Sequence, residues 1–324
     1  MEQLTNLFSS FADYIVYNLL ELEKAGLFST ALQYFITTFI LISVLVILVT
    51  YIMGIVTSYL PMDKIRKYLE KHKTTGLGNI MASALGAITP FCSCSSIPLF
   101  VGMMQAKIPL GIALSFLITS PLVNEIAIAL FWVTYGWKIT VIYIISGILL
   151  GIFGGIILEK LGMAKYVADW LQDLDKSNTR VKEDERSFLQ RIPEINAEAL
   201  QTTKNLMPYI FVGIAIGAFI HGYVPQSFFE EYISESNPLA VPIAVVLAIP
   251  LYIDAVGILP IIESLIGKGV PLGTAIAFMM ASIGLSLPEA LLLKKVMKKK
   301  LIISFFTTIG IGMILSGYLF NLVM

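Results

Sequence analysis

The chain has 324 residues, 57% of them hydrophobic and only 14% charged. Soluble domains carry about 25% charged residues, so a soluble globular domain is excluded and the chain belongs in a bilayer. Its 22 basic and 22 acidic residues cancel, which leaves no electrostatic footprint for a nucleic-acid partner.

Met1, Glu2 and Gln3 supply no basic n-region, and no signal peptide is expected. Between 4 and 24, Leu4, Leu7, Phe8, Phe11, Ile15, Leu19 and Leu22 recur at helical spacing against Asp13, Glu21 and Glu23. Residues 1–30 therefore read as an amphipathic helix lying on the membrane. The stretch 31–60 is nearly uncharged and long enough to span with tilt. Lys64, Arg66, Lys67, Lys71 and Lys73 follow, and the positive-inside rule places them in the cytoplasm. A proline-broken apolar segment covers 78–105, a run from Ile108 to Trp132 breaks at Ser120-Pro121, and Ile139 to Leu158 is a clean span.

Residues 159–204 hold eight Lys/Arg among mixed charge and little apolar periodicity. They read as a cytoplasmic linker, with 173–186 expected to be mobile. A short span at 206–221 comes next, and 223–238 carry Glu230, Glu231 and Glu235 without a basic residue, hence outside. Apolar segments at 239–266 and 270–293 lead to Lys294, Lys295, Lys298, Lys299 and Lys300, placed inside, and Leu301 to Val323 spans again.

The halves echo each other. Pro109-Leu110-Gly111 recurs 162 positions later as Pro271-Leu272-Gly273, with Phe116/Phe278, Ser120/Ser282, Pro98/Pro260 and Gly155/Gly317 in the same register. Two repeats are expected, 31–158 and 205–324. The loop after the first span is basic and its counterpart acidic, so the repeats run oppositely through the membrane. Opposite sense requires an odd number of crossings per half, and each half offers four apolar segments. The proline-centred ones, 78–105 and 239–266, are therefore read as re-entrant hairpins, leaving six spans with both termini outside. The expected fold is an all-α polytopic membrane protein with two inverted repeats and broken helices, an organisation typical of secondary transporters.

Chemistry concentrates in the first hairpin. Thr89-Pro90-Phe91-Cys92-Ser93-Cys94-Ser95-Ser96-Ile97-Pro98 holds both cysteines between two prolines, with hydroxyls at Thr89, Ser93, Ser95 and Ser96. Each proline removes a backbone donor and disfavours helix at the residue before it. In hydrocarbon such broken backbone lines a cavity or is buried in protein. Cysteines two apart would make a strained bridge, so free thiols are expected. Cys92 and Cys94 bring two sulfurs within reach of one soft ion: trivalent arsenic or antimony, or Cu(I). The plainer alternative is two small residues packing at a tight turn.

Asp254 falls on Cys92 in the repeat register, in the middle of the second hairpin. An ionisable residue there is a functional candidate. Asn124 and Glu125 follow the break at Pro121, and Glu289 follows Pro288. Glu125, Asp254, Glu289 and Asn124 are the candidates for proton coupling. For Glu289 the competing role is an ion pair with Lys294 or Lys295. Met103, Met104, Met279 and Met280 read as apolar filler, and His221 as an interfacial histidine. No Gly-x-x-x-x-Gly-Lys motif is present, so the chain is not expected to hydrolyse ATP or to act as an enzyme, and no cofactor is expected.

The Cys-Ser-Cys box at 89–98, followed by Ser-Pro-Leu-Val-Asn-Glu at 120–125, resembles the predicted-permease family that includes the organoarsenical efflux permeases (ArsP-like). The resemblance runs from the first span to the last. It implies export of trivalent organoarsenicals across the plasma membrane of a bacterium or archaeon, with Cys92 and Cys94 binding the metalloid substrate. A transporter or channel for another soft ion or sulfur compound such as Cu(I), or a thiol-redox membrane protein, is the alternative. The expected partners are the small-molecule or metalloid substrate, the lipid bilayer and a second copy in a homodimer.

Overall fold

Lipid offers no water to the backbone, so apolar sequence must bond to itself, and helix is what the chain forms. The computed structural model describes residues 2–23, 26–59, 76–89, 93–123, 125–171, 237–250, 258–267 and 269–323, with scattered helical positions between 192 and 219. The basic loop at 63–73, the acidic loop at 223–236, the stretch 173–186 and His221 lie outside the described residues.

Helix α1 (Glu2–Asp13) continues into a π-helical turn at Tyr14–Leu19. It packs along α2 (Leu27–Tyr59), burying Ala12 and Val16. At 33 residues α2 reaches about 50 Å, enough to span at a tilt. Phe211 meets Phe35 and Phe39 edge-on at 5.2 and 5.6 Å, tying α2 to the second half of the chain.

The next three helices are short: α3 (Leu77–Ile88), α4 (Ser93–Gln105) and α5 (Leu110–Leu122) have 12, 13 and 13 residues. Each reaches about 20 Å, too little for a hydrocarbon core of about 30 Å. Helix α6 (Glu125–Lys160) is divided at Gly136, where φ is 81° and ψ 171°. Phe131 and Tyr143 stack on either side of that glycine with ring centroids 4.7 Å apart. In a straight helix they would be separated by about 18 Å along the axis, so the two arms of α6 fold back on each other.

The second half repeats this layout with α7 (Ala240–Ala248), α8 (Leu259–Gly267), α9 (Leu272–Gly284), α10 (Leu287–Leu293) and α11 (Lys299–Val323). Helices α5 and α9 begin and end 162 positions apart. Pro109 and Pro271 precede them with φ/ψ of −52°/138° and −57°/139°. The preceding turns are equally matched. Ile108 N–H bonds Met103 C=O as Val270 N–H bonds Leu265 C=O, each at 3.0 Å, with Lys107 (φ 60°) and Gly269 (φ 90°) in the left-handed position. This is the six-to-one bond of a Schellman cap. Gly269→Ala is expected to cost about 1–2 kcal/mol. Lys107→Gly should move stability the other way by up to about 1 kcal/mol, both read as melting shifts in detergent.

Helix α5 is buried over its whole length and α9 over nearly all of it, so these two short helices form the centre. α3 runs parallel to α5: Asn79 Nδ2 donates to Ser115 Oγ at 2.9 Å, and Gly86 lies against Phe116 and Ser120. α4 runs antiparallel to α5, joined to it by the turn at 106–109 and, at the other end, by Ser96 and Ser120. The chain therefore reverses between Ile88 and Ser93, the break that Pro90 predicts; the second break expected at Ile97 is absent, because α4 stays helical through Pro98. The second arm of α6 runs antiparallel to α5, with Gly147 beside Val123 and Gly155 against Gly111.

The halves meet at positions that match each other. Leu122 packs on Gly284, and Leu150 on Gly312, pairs 162 residues apart. Farther along, Val167 forms an antiparallel bridge with Met297, and Trp170 Nε1 donates to Lys295 C=O at 3.0 Å. The second arm of α6 and α11 are thus antiparallel neighbours. Residues 163–171, at the head of the charged 159–204 segment, are part of this packing. Local periodicity gives no sign of it, because their partners lie about 130 positions away. Lys298 and Asp169 add an ion pair at 2.5 Å; both are solvent-exposed, where such a pair contributes about 0–1 kcal/mol.

Candidate functional site

Breaks in three helices converge. α3 ends at Ile88 with Thr89 extended (φ −90°, ψ 128°), and α4 starts at Ser93. α5 ends at Leu122, with Val123 out of helical geometry at φ −117°, ψ 81°, before α6 starts at Glu125. The first turns of α4 meet the last turn of α5 through the buried Ser96 and Ser120 hydroxyls, 2.8 Å apart. Tyr143, fully buried on the second arm of α6, donates its hydroxyl to Leu122 C=O, satisfying a carbonyl at the break. Thr89 Oγ1 donates to Leu85 C=O at 2.7 Å, which caps α3 and leaves oxygen lone pairs as acceptors.

Pro90, Phe91, Cys92, Asn124 and Asp254 lie outside the described residues, as do the side chains of Ser93, Cys94, Ser95 and Glu125. The backbone places Cys94 in the first turn of a 13-residue helix, where unpaired N–H groups and the helix dipole favour an anion. Pro98 sits inside the same helix. It has no N–H to give to the Cys94 carbonyl four residues back, so a thiol and a freed carbonyl share that turn.

Glu289 is fully described. It lies in α10, 1% exposed, its N–H held at 3.4 Å by Ser286 Oγ. Neither carboxylate oxygen has a hydrogen-bond partner among the described residues. The ion pair with Lys294 or Lys295 does not form. Lys294 is exposed beyond the end of α10, and Lys295 is half-buried on the turn, where burial pulls its ammonium below the usual lysine range. Helix α10 packs instead against α4. Met103, Met279 and Met280 are buried in the apolar core, and Met104 packs against it.

One polar feature escaped the sequence reading. Asn79 and Ser83 of α3 face Ser115 and Thr119 of α5. Thr119 Oγ1 donates to Ser115 C=O at 2.9 Å and Ser115 Oγ to Gly111 C=O at 3.0 Å. Each pair is four apart on its helix, hence on one face. Buried hydroxyls and amides of this kind join helices in lipid. They tie the helix at 77–88 to α5 at two points along its length.

Residues 27–322 match the family described as predicted permease (ArsP_1). The chain belongs to that family. Among curated relatives, UPF0718 protein MJ0584 of Methanocaldococcus jannaschii is 21% identical over 87% of this chain and 92% of its own length. UPF0718 protein YcgR of Bacillus subtilis is 22% identical over 82% and 88%. A Streptococcus mutans protein named "Putative two-component membrane permease complex subunit" is 24% identical over 79% and 83%. No solved structure matches the chain at a significant level. A multi-pass, all-α membrane permease accounts for the apolar helices α2, α6, α9–α10 and α11, each long and apolar enough to cross a bilayer.

Proposed function

We propose that the chain is a secondary permease for a thiophilic small solute, with trivalent organoarsenicals as the substrate class and the 89–98 box as its site. The observation that carries this is the helix reversal at the Cys-Ser-Cys box, beside the α5–α6 break, in a family of predicted permeases. Non-helical backbone at membrane depth is tolerated where it lines a cavity, and two thiols give that cavity a preference for soft ions. Contacts between residues 162 apart, together with the antiparallel run of α6 and α11, support an inverted repeat. In this reading α3–α4 and α7–α8 are re-entrant hairpins and alternating access is a rocking of one half against the other. The description of the S. mutans relative as a complex subunit supports a partner chain.

The test is uptake into everted membrane vesicles of methylarsenite, arsenite and Cu(I), measured side by side. Methylarsenite is expected to accumulate and the other two are not. Copper or arsenite entering at the methylarsenite rate would overturn the assigned class, and no uptake of any of the three would remove the site from the thiols altogether.

A further inference from the structure

We propose that Glu289 carries the coupling proton of this permease, a step that rests on the transport reading above. The conformation described is the one in which its carboxyl is shut away. At 1% exposure with both oxygens unpartnered among the described residues, an ionised carboxylate would be desolvated with nothing to offset the loss. The neutral acid avoids that cost. A metal ion does not suit the place. Among the described residues no three His, Cys, Asp or Glu side chains come together, whereas one carboxyl in apolar surroundings suffices for one proton.

The carboxyl sits on a short element bounded by two turns. Helix α10 has seven residues between Leu285–Ser286, where ψ at Ser286 is 151°, and the turn at 294–298. It packs against α4, whose first turn holds Cys94. Glu289 is the one titratable group of α10, Cys94 is the one on α4, and α9 has none; Lys294 and Lys295 follow on the turn. The repeat-equivalent position is Ala127, buried and apolar, and the acid of the first half, Glu125, stands two residues earlier at the start of α6. When α10 swings off α4 the carboxyl meets water and releases its proton as hydronium. An opening to the other aqueous side reprotonates the carboxylate from hydronium before α10 closes again on α4. Packing against α4 links that movement to the thiol-bearing turn.

Two measurements test this on the full-length protein. Infrared difference spectra of solute-free protein at neutral pH should show a protonated-carboxyl carbonyl band that is absent from Glu289→Gln and retained, shifted, in Glu289→Asp. In proteoliposomes with methylarsenite as the probe, the parent's accumulation ratio should rise about tenfold per unit of imposed pH difference, one proton per solute. In Glu289→Gln the ratio should not respond. Identical spectra for parent and Gln variant, or an undiminished tenfold slope in that variant, overturns the proposal. A parent that accumulates no methylarsenite at any pH difference overturns the substrate reading instead, and the infrared result still judges Glu289.

Discussion

Gly155→Leu is expected to leave no folded protein in the membrane fraction. In the first half the tightest helix crossing is that of α5 with the second arm of α6, and it is made of glycines. A Cβ placed on Gly155 would overlap Ser115 Oγ and the Gly111 carbonyl and lie 3.0 Å from the Ser115 amide. A Cβ on Gly111 would lie 2.8 Å from both the Gly155 carbonyl and Glu159 Cβ. Two of the three obstacles at Gly155 are backbone, and α5 is enclosed on all sides, so neither helix has room to retreat. Small residues that let backbones approach are what holds helices together in lipid, where no hydrophobic effect drives them. Overpacking of an ordinary core site costs about 1–3 kcal/mol; Gly155→Ala should fall at the top of that range, and the branched side chain beyond what a membrane bundle tolerates. Gly317→Leu should be milder. Its nearest neighbours are Val241 Cγ1 at 2.6 Å, which has a rotamer to change, and Ala277 Cβ at 2.8 Å, and the nearest backbone atom, the Gly273 carbonyl, is farther at 3.2 Å. Gly267→Ala, where nothing lies within 4 Å of the new carbon, is the control. Size-exclusion profiles of fluorescent fusions compare the variants, and a parent-like peak and melting curve for Gly155→Leu would refute the crossing.

The breaks and the repeat were legible because they are written in residue types that constrain the backbone. Pro90 and Pro121 marked where helix stops, and α3 and α5 end beside them; Pro98 did not, because α4 runs helical through it from Ser93 to Gln105. The 162-residue register around Pro109-Leu110-Gly111 fixed α5 and α9 as equivalents, since Pro109 and Pro271 hold the same φ and ψ. Contacts between distant segments left no such mark. The expected linker at 159–204 begins as structure, because Val167, Ala168 and Trp170 bond to the 295–297 turn, and nothing in 159–171 alone announces a partner in the other half. The gap expected between spans, 133–138, contracts to one residue, Gly136. Helix persists on both sides of it, and only the positive φ makes the turn. The spacing of Glu289 to Lys294 allows an ion pair as well as a function. The spacing misled because α10 stops at Leu293, and the chain turns away before the lysine reaches the carboxyl.

Serine in place of either Cys92 or Cys94 is expected to lower organoarsenical export about 100-fold, and the double variant no further. A monosubstituted trivalent arsenical bears two exchangeable hydroxyls and one carbon ligand. Two thiols displace both hydroxyls: two S–As bonds form, two As–O bonds break, and each thiol proton leaves with a hydroxyl as water. The second sulfur closes a ring, so its binding is intramolecular and raises affinity by a factor of about 100 or more. Losing one sulfur loses the ring, which is why single and double changes should coincide rather than add. Inorganic arsenite keeps a third hydroxyl that a third thiol would replace, and the chain has only two cysteines, so its export should be slow in the parent and little altered by the substitutions. Release at the far side also depends on there being two sulfurs and not three, since a fully thiolate-bound arsenic would leave too slowly for turnover. Protection of cells against methylarsenite, scored with protein abundance in the membrane, measures the effect. Parent-level protection by the double serine variant would show that the cysteines only pack the turn between α3 and α4. A tenfold gap between the single and double variants would show that each sulfur binds alone and that no ring forms.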